Sequence, residues 1–160
     1  MVSAERSRMI GVYLAMVALW IGIGALSGFA NRYGLPAWYP TLVKPSFNPP
    51  AWLFGPVWTI LYLMIAIAGA RLILGAGLLR GPLLALYAVQ CVLNASWTWV
   101  VFYGHSLGGG VIVILTLLSV ILALIALAWS NDRMVSLLLM PYAAWVSFAS
   151  VLNIALWRLN

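Results

Sequence analysis

The chain has 160 residues, of which 66% are hydrophobic and 6% charged, with a formal net charge of +6 and a mean hydropathy of +1.10. A soluble domain of this size cannot carry so apolar a composition on its surface, so the chain reads as an integral, multi-pass membrane protein. Its cations stand at the ends of apolar runs, which favours a role in topology over nucleic-acid binding, and no nucleic-acid partner is expected.

Four uncharged intervals, Met9 to Asn31, Pro45 to Ala70, Gly81 to Ser130 and Met134 to Trp157, each meet the roughly 20 residues a spanning helix needs. The third is too long for one helix and divides at "GHSLGGG", Gly104 to Gly110. The runs are continuously apolar and not alternating, which excludes a barrel. The predicted fold is therefore all-α: one domain over 1–160, a bundle of five transmembrane helices near 9–30, 50–74, 81–103, 108–130 and 134–157, with residues 31–48 as a lid.

The first run follows "MVSAERSR", which could serve a secretory signal; its length, Tyr13 and Trp20 favour retention as helix one. Trp20, Trp38, Trp129 and Trp157 lie near predicted helix ends and read as interfacial belt residues. Gly24 to Gly28 on helix one and Gly81, Ala85 and Ala88 on helix three permit close helix approach, either within the monomer or in a homodimer. The lid holds the chain's one lysine, Lys44, and several prolines that limit its conformational freedom. Pro49 and Pro50 suit the first turn of helix two, and Pro56 is expected to kink it.

Phe54, Trp58 and Tyr62 then recur at i, i+4 and i+8, one ring-bearing face. "QCVLNASW" on helix three places Gln90, Asn94 and Trp97 on a shared face, and Tyr142, Trp145, Ala149 and Asn153 repeat the arrangement on helix five. Lipid-facing amides are costly, so these three faces should turn inward. Two readings remain open: interhelical bonding with ordinary aromatic packing, or a flat-walled cavity with a few polar handles for a planar apolar ligand. Cys91, at mid-membrane, reads as a packing residue.

Acid–base chemistry has little material. Glu5, Asp132 and His105 supply neither a carboxylate pair nor a three- or four-ligand metal site, and no ionisable relay crosses the membrane. His105 is read as a polar loop residue, with axial ligation of a haem iron as its alternative. Arg6, Arg8, Arg71, Arg80 and Arg133 on one side, against Arg32, Lys44 and Arg158 on the other, favour a cytoplasmic amino terminus.

"WYPTLVKPSFNPPAWLFGPVWTILY" (38–62), "LNASW" (93–97) and "PYAAWVSFASVLNIALWRLN" (141–160) resemble, in order and over the whole chain, the tryptophan-rich sensory protein and translocator protein family (TspO/MBR), which includes the mitochondrial peripheral-type benzodiazepine receptor. The resemblance implies a bacterial-type, membrane-embedded five-helix homodimer that binds protoporphyrin IX or haem, sterols or lipids, and synthetic benzodiazepine-type ligands. It implies action as a sensor, regulator or carrier, with no resident cofactor or metal required. Some bacterial members promote light- and oxygen-dependent porphyrin breakdown, and the tryptophans associated with that reaction match Trp58 and Trp145. By the same resemblance the ligand site comprises Trp38, Tyr39, Lys44, Pro45, Trp58, Tyr62, Asn94, Trp97, Tyr142, Trp145, Phe148, Ala149 and Leu152. Two departures stand out: Ile154 and Ala155 occupy the stretch where the animal cholesterol pattern has its tyrosine, and Phe47 and Asn48 replace a common Trp and His.

Overall fold

A computed structural model describes residues 2–160, with the side chain of Val2 excluded. Its helices are α1 (Val2–Gly34), α2 (Ala51–Leu74), α3 (Arg80–Thr98), α4 (Leu107–Asn131) and α5 (Arg133–Leu159), with a short 3₁₀ turn at Tyr39–Thr41 and a π-helical turn at Trp99–Tyr103. All five helices are long and apolar enough to cross a membrane, α3 together with its π turn. α4 packs against α3 and α5, and α2 against α1 and α5, which closes the bundle around a common interior.

The boundaries follow local chemistry. α1 begins at Val2, ahead of residue 9, because the polar lead-in contains good helix formers and needs no lipid contact. It also runs past residue 30 to Gly34, so the lid connection starts four residues later than the sequence pattern suggests. Gly34 ends α1 against the backbone of Phe102, where any side chain would collide. α2 starts after Pro49 and Pro50 and continues unbroken through Pro56. At the "GHSLGGG" break the Gly104 amide donates to Trp99 O, a five-residue span that widens the helix, and His105 adopts φ +50° to turn the chain. Ser106 then caps α4 by accepting from the Gly109 amide, and Asp132 caps α5 by accepting from the Met134 amide.

The core departs from the sequence reading at Trp20. It is no belt residue: only 1% of it is exposed, its Nε1 donates to Tyr87 Oη at 2.7 Å, and the Tyr87 hydroxyl donates to Ile65 O at 2.8 Å. Residue 20 falls mid-helix both in the expected span 9–30 and in α1 as observed, and there an indole either faces lipid with an unpaired N–H or turns inward to a partner. Gly69 gives that partner room, since a Cβ there would meet the Tyr87 ring and Met16. Trp129 and Trp157 are about half exposed near helix ends, as interfacial residues should be.

Candidate functional site

The three polar faces do turn inward. Gln90, Asn94, Tyr142 and Asn153 are all buried. Tyr62 Oη donates to Asn94 Oδ1 (3.3 Å), Asn94 Nδ2 to Tyr142 Oη (2.8 Å), and Tyr142 Oη to Gln90 Oε1 (3.3 Å). One directed chain of bonds thus joins α2, α3 and α5. A second runs from Trp97 Nε1 to Asn153 Oδ1 (2.9 Å) and from Asn153 Nδ2 to Leu107 O (3.1 Å), tying α3 and α5 to the start of α4. Gly110 makes this possible: a Cβ there would meet Val101 and the Asn153 amide.

Above these networks lies a cavity of about 920 Å³, bounded by all five helices and the lid. Its floor includes Tyr62 and Asn94, its walls include Phe54, Trp58, Trp97, Trp145 and Asn153, and Tyr39, Lys44 and Asn48 stand at its rim. The rings are arranged edge to face or tilted: Phe54 meets Trp145 at 74°, and Trp58 meets Tyr62 at 43° and Tyr142 at 67°. Three polar atoms of residues that line it, Ser27 Oγ, Asn31 Oδ1 and Trp145 Nε1, are buried without a hydrogen-bond partner among the described residues.

The lid is fixed by a few short bonds. Lys44 Nζ donates to Leu42 O (3.0 Å) and stands 4.9 Å over the Tyr39 ring, so its charge is held at the rim. Tyr39 Oη donates to Asn48 Oδ1 at 3.0 Å, and burial pushes its phenol above the usual 10, partly offset by the bond with Asn48. Asn160 clasps the lid from α5: its Oδ1 accepts from the Val43 amide (2.9 Å) and its Nδ2 donates to Val43 O (3.0 Å).

Of the residues singled out in the sequence, Tyr39, Lys44, Trp58, Tyr62, Asn94, Trp97, Trp145, Ala149 and Leu152 line the cavity. Four stand outside it. Tyr142 is fully buried behind Asn94, and Phe148 packs between Phe47 and Trp145. Trp38 stacks on His105 with ring centroids 4.6 Å apart, and Pro45 is a half-buried lid residue. His105 itself is exposed and not among the cavity residues. The described residues hold no cluster of three or more His, Cys, Asp or Glu side chains suited to a metal ion.

The sequence reading did not assign helix one to the cavity. Gly24, Ser27, Gly28 and Asn31 form one wall, and Gly24 abuts the Tyr62 ring. The signal was present: those positions recur at intervals of three and four, so the stripe that reads as a helix-contact surface faces the cavity within the monomer. On α3, Gly81, Ala85 and Ala88 remain exposed.

The profile of the TspO/MBR family matches residues 15–158 of the chain. A tryptophan-rich protein TspO of Chlorobaculum tepidum is 43% identical over 152 residues, spanning 90% of this chain and 95% of that one. Protein CrtK of Rhodobacter capsulatus is 38% identical over 153 residues, 92% and 94% of the two chains. The translocator protein of Homo sapiens is 38% identical over 140 residues, 84% and 80%.

Proposed function

The chain belongs to the TspO/MBR family of multi-pass membrane proteins, and from that premise we propose that it binds tetrapyrroles, protoporphyrin IX or haem, as a sensor, regulator or carrier. The observation that carries this reading is the cavity of about 920 Å³, at the upper end of the roughly 300–1,000 Å³ typical of small-molecule sites. Its indole and phenyl walls suit a flat apolar macrocycle, and Lys44 at the rim suits the acidic edge such a molecule carries. Orientation with the amino terminus in the cytoplasm and the lid outside agrees with the arginine asymmetry. A homodimer through the exposed small residues Gly81, Ala85 and Ala88 would suit close helix approach.

The test is saturable quenching of tryptophan fluorescence when protoporphyrin IX is added to the purified protein. Trp58→Phe with Trp145→Phe should weaken the quenching, and Lys44→Gln should weaken affinity while leaving the fold intact. Absence of saturable quenching at micromolar ligand overturns the binding reading.

A second reading, photo-oxidative porphyrin degradation, is favoured by Trp58 and Trp145 both walling the cavity, where an indole can supply an electron to a photoexcited ring. Illumination in oxygen should then yield a product that is lost in the double variant. Persistence of the product without both indoles removes their proposed role. Animal-type sterol binding is disfavoured by the absent tyrosine near Ile154.

A further inference from the structure

We propose that a second, smaller cleft, at the other end of α2 from the lid, binds the phosphodiester of an anionic phospholipid. The cleft has a volume of about 100 Å³ and forms where the end of α2, the start of α3 and the α4–α5 junction meet. Arg71, Arg80, Asn131 and Asp132 line it, with Gly75 and Ala76 as small neighbours. Two guanidinium groups face one carboxylate, so the cleft carries one cation in excess.

Both arginines are held in place by bonds that use only part of their capacity. Arg71 donates through Nε and Nη2 to the two oxygens of Asp132, at 2.9 and 3.1 Å. Arg80 donates through Nη2 to Ile73 O, at 2.7 Å, which caps the end of α2. A guanidinium carries five N–H donors in a fixed fork, so each retains donors for an incoming oxyanion. Asp132 is turned to Arg71 and also accepts from the Met134 amide. α3 begins at Arg80, and its N-cap Leu79 offers no side-chain cap, which adds the partial positive charge of a helix start.

Two features assign the anion to a lipid. Leu78, in the loop beside Arg80, is wholly exposed, which suits an apolar side chain entering the membrane boundary. At the start of α5, on the same side of the bundle, Arg133 stands 5.0 Å over the Trp129 ring, the pairing of cation and indole found at headgroup level. Basic clefts between spanning helices at this level are matched to anionic headgroups.

The test uses the full-length protein in detergent micelles and native mass spectrometry, with phosphatidylglycerol or phosphatidylcholine added. One phosphatidylglycerol should be retained at concentrations where phosphatidylcholine is not. Arg80→Gln should cut that preference by about five-fold or more, the loss of one charge-assisted fork. Arg8→Gln, which removes an exposed cation of the same side away from the cleft, should leave it unchanged. Arg80→Lys keeps the charge without the fork, and should fall between. Equal retention of the two lipids, equal loss in Arg80→Gln and Arg8→Gln, or full preference in Arg80→Lys overturns the assignment. Displacement of the lipid by inorganic phosphate at low millimolar concentration also overturns it, since the cleft would then read free phosphate.

Discussion

Replacing Trp20 by Phe separates a core indole from an interfacial one. In a bilayer little hydrophobic free energy distinguishes the bundle interior from acyl chains, so the loss comprises packing and hydrogen bonding. Phe leaves roughly 40 Å³ of indole volume unfilled, and about 24 cal/mol per Å³ makes that about 1 kcal/mol. The interhelical bond from Nε1 to Tyr87 Oη contributes about 0.6 to 1.7 kcal/mol. The expected destabilisation is thus about 2 kcal/mol, against about 0.5 kcal/mol or less for a surface position. Reversible unfolding in mixed micelles, titrated with dodecyl sulfate and followed by far-ultraviolet circular dichroism, gives the difference without relying on indole emission. A double-mutant cycle with Tyr87→Phe should return a coupling of about 1 kcal/mol. A loss below about 0.5 kcal/mol, or strict additivity in the cycle, refutes a hydrogen-bonded core role for Trp20.

Tyr142→Phe strands Asn94 Nδ2 and Gln90 Oε1 together, so it should cost about 2 to 3 kcal/mol in the same unfolding assay; a neutral result would mean that the polar chain below the cavity does not hold the floor. Gly110→Ala drives a methyl group into Val101 and the Asn153 amide, with an expected loss of about 1 to 3 kcal/mol and altered Trp97 emission; an unperturbed variant would contradict the close approach of α3, α4 and α5 there. Tyr39 has a folded-state phenol raised by burial, so its contribution to stability is present below the unfolded value of 10.0 and declines as pH rises through the higher folded value. The absorbance difference at alkaline pH between the unmodified protein and Tyr39→Phe should therefore have its midpoint above 10.0; a midpoint at or below it contradicts the buried lid tyrosine.

The inward polar faces were legible because lipid leaves an amide few choices. Gln90, Asn94 and Asn153 cannot face acyl chains without losing their partners, and their spacing with Trp97, Tyr142 and Trp145 names the faces that must meet. Trp20 was misread from its residue type, since an indole is equally at home at an interface and in a core, although its place in the middle of the span 9–30 already pointed away from the interface. The Gly24 to Gly28 stripe was visible while its partner was not: small residues report that something approaches closely, and here it is Tyr62. The clasp between Asn160 and Val43 joins residues 117 positions apart and leaves no periodic trace in the sequence. The same limit applies to Trp38, whose ring could have turned into the cavity but stacks on His105 across two loops.

The two ends of the cavity are built differently, and the difference divides their roles. Its floor is held by buried bonds among Tyr62, Asn94, Tyr142 and Gln90, which join α2, α3 and α5. Opening there would strand several polar groups at once, each at a cost of about 1 to 3 kcal/mol. The mouth is held by bonds near the surface, from Lys44 to Leu42 O and between Asn160 and Val43, where water can replace each lost partner. The lid can therefore open at small cost while the floor stays fixed. For the flat ligand proposed above, ring geometry and amide placement at the floor would set the fit, and the lid bonds would set the rates of entry and release.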